Sequence, residues 1–152
     1  MPVFERSCVV RAPIEEVFAF HLDTRNAARI SPRTMPVLDV RGEFPLHQGD
    51  EVDLVVRIWP TPFRQTWRVR AERIERPTLV LDNMLSGPFP AWLHEHRFAD
   101  IGDGTTRLTD HIDYRLPLGA LGSLANLLVV RHLLERAFAF RQERTCELLE
   151  AR

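Results

Sequence analysis

From about residue 120 to residue 151 the chain contains no proline and, beyond Gly122, no glycine. Leu121, Leu124, Leu128, Leu134 and Phe138 keep roughly helical spacing through it. About 30 residues rising ~1.5 Å each make a helix of about 45 Å, longer than most in small domains. The first half, 121–130, is apolar nearly all round and reads as a segment about which a sheet curls. The second half, 136–152, is amphipathic and reads as part exposed.

The preceding residues supply the sheet. Residues 3–11 alternate, with Phe4, Cys8 and Val10 on one face, as a half-buried strand does. Pro13 followed by Glu15 and Glu16 suits the start of a helix, and a second short helix is predicted over 24–30, with Asp23 as its cap and Ser31-Pro32 as its stop. Six strands separated by turn residues follow, at 36–41, 51–59, 63–74, 78–85, 90–99 and 105–116. Paired as an antiparallel meander, they give an α+β fold in the order β-α-α-β-β-β-β-β-β-α, a curved seven-stranded sheet around a long carboxy-terminal helix. The 152 residues suit one domain, 1–152. Side chains alone do not fill the space between such a sheet and one helix, so the architecture predicts a cavity.

Composition narrows the function. The 20 basic residues are all arginine and are balanced by 21 acids, for a formal charge of -1. Without lysine there is no Schiff-base chemistry. With arginines interleaved among acids there is no basic face of the kind nucleic acid requires, and no nucleic-acid partner is expected. The uncharged run 116–130 includes Pro117, Gly119 and Gly122 and falls short of the roughly 18 residues of a membrane span. Cys8 and Cys146 form no CxxC, and the amino terminus has no basic segment followed by an apolar run, so the expectation is a reduced, cytoplasmic protein. The two thiols would meet if the first strand lay beside the last helix.

The most informative stretch places Trp92, His94, His96 and Phe98 at alternate positions with Leu93, Glu95 and Arg97 between them. Glu95 and Arg97 are costly to bury, so the aromatic set faces inward. In the next strand the same reasoning turns Leu108, Asp110, Ile112, Tyr114 and Leu116 inward. A two-residue turn at Asp103-Gly104 would oppose inward His96 to outward His111. A three-residue loop at 102–104 instead sets Phe98 by Leu108, His96 by Asp110, His94 by Ile112 and Trp92 by Tyr114. His96 and Asp110 are then a cross-strand pair, with His94 on the diagonal.

That cluster admits three readings. Its polar groups satisfy one another inside an apolar pocket. They also orient the polar head of a ligand whose body rests on Trp92, Phe98 and Tyr114. The third reading is chemistry, with Asp110 fixing the tautomer of His96 as general base. A metal held by His94, His96 and Asp110 has the right donor types but is a sparse signal, and neither metal nor cofactor is assigned. His21 reads as a helix-terminal residue, Asp82 has an unclear face, and Trp59 and Trp67 read as core or rim. No nucleophile elbow and no glycine-rich phosphate loop is present.

The chain resembles the helix-grip superfamily of START lipid-transfer domains, the birch-pollen allergen fold, and bacterial polyketide cyclase/dehydrase-like and carbon-monoxide-dehydrogenase-accessory proteins. Within it the chain looks like a bacterial ligand-binding SRPBCC protein. The resemblance is carried by Ala12-Pro13-Ile14-Glu15-Glu16-Val17-Phe18-Ala19-Phe20-His21, by Asn26 with Ile30-Ser31-Pro32, and by Gly87-Pro88-Phe89 with Trp92-x-His94-x-His96-x-Phe98. Thr109-Asp110, Tyr114-x-Leu116-Pro117-x-Gly119 and Phe140-Arg141 complete it. It implies a fold and an apolar cavity, and no particular reaction. The expected function is binding of a small or medium hydrophobic ligand, as carrier or sensor, with Trp92, His94, His96, Phe98, Asp110 and Tyr114 as the site. A cofactor-independent cyclase or dehydratase using His96 with Asp110 is the enzymatic alternative. An accessory module is the third reading, and a homodimer or a partner enzyme stays open.

Overall fold

The computed structural model describes residues 2–58 and 61–150. One sheet holds β1 (Val3–Val10), β2 (Val37–Arg41), β3 (Glu51–Arg57), β4 (Arg64–Glu75), β5 (Leu79–Ser86), β6 (Ala91–Gly102) and β7 (Thr105–Arg115). The strand order is β1-β7-β6-β5-β4-β3-β2, with every neighbouring pair antiparallel. Helices α1 (Ile14–Leu22) and α2 (Asn26–Ile30) fill the connection from β1 to β2. This is the predicted α+β order. Trp59 and Ala151, which the sequence reading placed at the ends of a strand and of the last helix, lie outside the described residues.

Each local device has a visible cause. The Pro13 carbonyl accepts the amides of Glu16 and Val17 and so starts α1. Asp23, expected to cap α2, instead holds the turn before it, accepting from the amide and guanidinium of Arg25. Register shifts near Arg68 and between Ala71 and Arg73 bend the β4–β5 pair, and bending of this kind lets the sheet curl.

The β6–β7 hairpin keeps the predicted register by a different route. Trp92 opposes Tyr114, His94 opposes Ile112, His96 opposes Asp110 and Phe98 opposes Leu108. The connection, however, is the two-residue turn that parity alone had excluded: Asp103 and Gly104 both take positive φ, and Gly102 pairs with Thr105. A bulge at Ile101 absorbs one residue between Asp100 and Gly102 and restores the parity.

The carboxy-terminal helix is continuous over 32 residues, as α3 (Gly119–Ala125), a π-helical turn (Asn126–Val130) and α4 (Arg131–Glu150). Its burial reverses the sequence expectation. Leu134, Phe138, Gln142, Thr145 and Leu149 of the second half are the buried stripe. In the first half Leu121 is 68% and Leu127 73% exposed. The reason is length. Eight residues of β1 extend about 27 Å, against about 48 Å for the helix, so the segment beyond α4 overhangs the strand it packs along. Within the overhang the Tyr114 hydroxyl donates to the side chain of Asn126, which ties the π-turn to β7.

The core has two parts. Val10, Val17, Phe18, Phe98 and Leu108 close the space beneath α1, while Phe4, Ile112, Tyr114, Leu134 and Phe138 join β1 and β7 to α4. Each large apolar side chain so buried contributes about 1.5–3 kcal/mol. Cys8 and Cys146, both free thiols, pack against the first cluster where β1 meets α4. Because α4 lies closest to β1 and α2, the inner faces of β3 to β5 stay uncovered by that helix. No helix among the described residues is long and apolar enough to cross a membrane.

Candidate functional site

That uncovered face is one wall of a cavity of about 340 Å³. Val52, Leu54 and Val56 of β3 and Trp67 and Val69 of β4 form its floor, α2 one side, and Leu134, Ala137 and Phe138 of α4 the other. Its lining is mainly apolar. Among the polar lining residues His21, His94, His96 and Asp82 form one cluster, and Asp23, Thr24, Asn26, Ser31 and Arg141 also line the cavity.

Of the residues singled out from sequence, Trp92, His94 and His96 reach the cavity wall. Phe98, Asp110 and Tyr114 do not. Phe98 is only 3% exposed and packs edge-on to Phe18 at 5.5 Å, with the His21 ring at 5.1 Å between it and the cavity side. Tyr114 is fully buried under Phe89 and Trp92, at ring distances of 6.0 and 6.1 Å. Both support the wall from behind, because another aromatic ring covers each of them. Trp67, read as core or rim, is part of the floor.

Asp110 sits behind the histidines, bounding a small cleft with His21, Arg141 and Gln142. Its Oδ1 accepts a 2.7 Å hydrogen bond from His94 Nε2, and its Oδ2 one of 2.8 Å from the Gln142 amide. The same amide nitrogen reaches the Arg6 carbonyl at 3.0 Å and so pins α4 to β1. His96 differs from its predicted role. Its Nδ1 lies 3.2 Å from Asp110 Oδ1 without a directed hydrogen bond, while its Nε2 donates to Asp82 Oδ2 at 3.1 Å. The well-formed His–Asp bond is thus the diagonal one, His94 with Asp110.

The charges follow from this geometry. Burial disfavours a proton on His96, but the carboxylates of Asp110 and Asp82 outweigh it and push its pKa up to about 9. Burial also raises Asp110, and the two imidazoles overcome it and hold the carboxyl well below its ordinary value. Burial, reinforced by the charge on His96, lowers His94 to about 4 despite its bond to Asp110. Burial and His96 together lower His21 to about 3. At neutral pH, then, His96 is an imidazolium, while His94 and His21 are neutral. Protonated His96 can donate a proton but not accept one, which inverts the general-base role assigned to it from sequence. His21 donates from Nδ1 to the Val17 carbonyl at 2.8 Å, so its Nε2 is the unprotonated nitrogen on the cavity wall.

His94, His96 and Asp110 each offer a ligand atom within 4.8 Å of the others, a spacing compatible with a metal ion. Within that group His94 Nε2 and Asp110 Oδ1 are engaged with each other. A cation held by those two atoms would have to replace that hydrogen bond.

Three contributors lie outside the site expected from sequence, although Asp82 was noted there with its face open and Arg141 as part of the resemblance. Asp82 lies between inward Val80 and Met84, so strand parity alone turns it inward. Arg141 and Gln142 continue the stripe Leu134–Phe138 at helical spacing, a signal that was present in the sequence.

No protein-family model and no curated protein matches the sequence. Solved structures do. Protein CV1439 from Chromobacterium violaceum superposes with a TM-score of 0.77 at 12% identity, covering 99% of both chains. A norcoclaurine synthase point mutant from Thalictrum flavum, in complex with a transition-state analogue, gives 0.72 at 11% identity over 99% of this chain and 94% of that one. The di-domain ARO/CYC StfQ of the steffimycin biosynthetic pathway gives 0.71 at 14% identity, over 98% of this chain and 50% of that one. The chain has the helix-grip fold of SRPBCC and polyketide-cyclase-like proteins.

Proposed function

We propose that the protein binds a small or medium hydrophobic molecule in the cavity between sheet and carboxy-terminal helix, as a carrier or sensor. The supporting observation is the cavity itself, about 340 Å³ with mainly apolar walls on which His21, His94, His96 and Asp82 cluster. That size and polarity are those of a small-molecule site. The apolar body rests on Trp92, Trp67 and the aliphatic floor, and a polar head meets His96, Asp82 and His94. Native mass spectrometry of the purified protein, compared with its denatured mass, tests this. An adduct of a few hundred daltons that is extractable into organic solvent is the expected result. A bare protein that also takes up no apolar probe in solution would remove the proposal.

A second reading rests on one pair of residues. The cationic His96 ring lies 5.3 Å from the neutral His21 ring, both on the cavity wall. An acid and a base side by side suit a cofactor-independent cyclisation or dehydration, and an ARO/CYC and a synthase are among the proteins of this fold. Turnover of a polyketone substrate, lost on His21→Ala and on His96→Ala while the fold is kept, would establish it.

A further inference from the structure

Among the described residues, every carboxylate on the cavity wall already has a partner, and the one guanidinium there has no hydrogen bond or ion pair. Asp23 is bound by Arg25 at 2.7 Å and Asp82 by His96 at 3.1 Å. Arg141 projects from the buried stripe of α4 and lines both the cavity and the cleft behind it. Among the described residues its guanidinium donates no hydrogen bond and pairs with no carboxylate. Its nearest assigned contact is the face of Phe138, 5.2 Å away. Most arginines in surface positions need no such partner, because water solvates them. Arg141 is half-buried, between the mainly apolar cavity and a cleft that holds Asp110, and an arginine cannot escape by losing its proton.

We infer that Arg141 is the anchor for an acidic head group, so that the ligand is an amphipathic monocarboxylic acid. This rests on the ligand-binding reading above and specifies its chemistry. The planar fork of a guanidinium matches a carboxylate bidentately, and a pair formed away from water is stronger than one at the surface. Below Arg141 on the same helix, Ala137, Leu134 and Val130 run along the cavity wall. From 141 to 130 the helix rises about 16 Å, which gives a tail a continuous apolar track leading from the guanidinium. Asp82 and Asp110 do not oppose the anion unaided, since His96 lies between them and carries the compensating charge.

The test is displacement of the neutral fluorophore N-phenyl-1-naphthylamine by dodecanoic acid and by its methyl ester, on wild type, Arg141→Met and Arg141→Lys. For wild type the acid should compete about 10- to 100-fold better than the ester, the range of one charged hydrogen-bonded contact. Arg141→Met should abolish that ratio without weakening the ester, and Arg141→Lys should restore part of it. The ligand-free Arg141→Met protein should melt no lower than wild type, because the one assigned contact of the guanidinium, the face of Phe138, is replaced by a thioether on the same ring. Equal competition by acid and ester on wild type would overturn the anchor and leave the cavity reading standing. A ratio unchanged in Arg141→Met, or a lowered melting temperature showing that Arg141 serves the fold, would overturn it as well. Failure of the neutral fluorophore to bind at all would refute the cavity reading, and the anchor with it.

Discussion

Asp110 on β7 accepts a 2.7 Å hydrogen bond from His94, its diagonal neighbour on β6, while His96 directly opposite turns its Nε2 to Asp82. The carboxylate is 4% exposed, and the imidazoles of His94 and His96 are 6% and 7% exposed as residues. Removing it with Asp110→Ala leaves a buried imidazolium and the Gln142 amide short of an acceptor. A loss of about 3–5 kcal/mol is expected, as for one broken member of a buried ion pair. Asp110→Asn, which can still accept from His94, should lose less. Urea unfolding measures both, and a loss under about 1 kcal/mol in Asp110→Ala would mean that water reaches the cluster.

The cavity can be filled from α4 without touching its polar cluster. Ala137 lines the wall next to Phe138, and a larger side chain there projects into empty volume. Ala137→Trp should reduce binding of a neutral apolar probe at least about tenfold, by occupying the space the probe needs. Thermal unfolding should show a melting temperature equal to or above that of wild type, since filled volume adds contacts. Probe affinity unchanged beside an intact fold would place binding elsewhere.

The carboxy-terminal helix gives a paired prediction. Phe138 is buried against Phe4, their ring centroids 5.5 Å apart, so Phe138→Ala should cost about 3–5 kcal/mol. Leu127 is 73% exposed on the overhang, and Leu127→Gln should stay within about 0.5 kcal/mol of wild type. Equilibrium unfolding of the two variants would expose an error in the placement of the helix if their effects were similar.

The same two residues mark the limit of what was legible beforehand. The inward faces of β6 and β7 were legible because a strand has period two, and Glu95 and Arg97 leave one choice of face. The opposition of His96 to Asp110 followed from that. The means, a bulge at Ile101, did not, since parity tells only that one residue must be absorbed somewhere. Helix length was legible from missing glycine and proline. Burial of its first half was not, because an all-round apolar segment shows an affinity for cover and not whether cover is within reach. Phe98 and Tyr114 were placed on the correct face, yet alternation does not reveal that His21 and Trp92 stand in front of them. Asp82 was legible only as a residue of open face, although Val80 and Met84 on either side fix it by parity, and Arg141 only as part of the family resemblance, because helical spacing does not tell which face of α4 meets the cavity.

The charge pattern of the site dictates how stability varies with pH. Between pH 6.5 and about 9 folded His96 keeps a proton that the unfolded chain has released, so its contribution is whole below 6.5 and is lost as pH rises toward 9. His94 and His21 act in the opposite sense. From pH 6.5 down to about 4 and about 3 the unfolded chain binds protons that the buried neutral rings refuse, and stability falls as pH drops. Below pH 3.8 the depressed carboxyl of Asp110 adds to that loss. Stability should therefore peak near pH 6.5. In His96→Gln the alkaline decline between 6.5 and 9 should flatten while the acid decline persists, because only the raised imidazole produces the first. Denaturation midpoints measured from pH 4 to 9 on both proteins decide the matter, and an alkaline decline that survives in His96→Gln would show that His96 is not protonated at neutral pH.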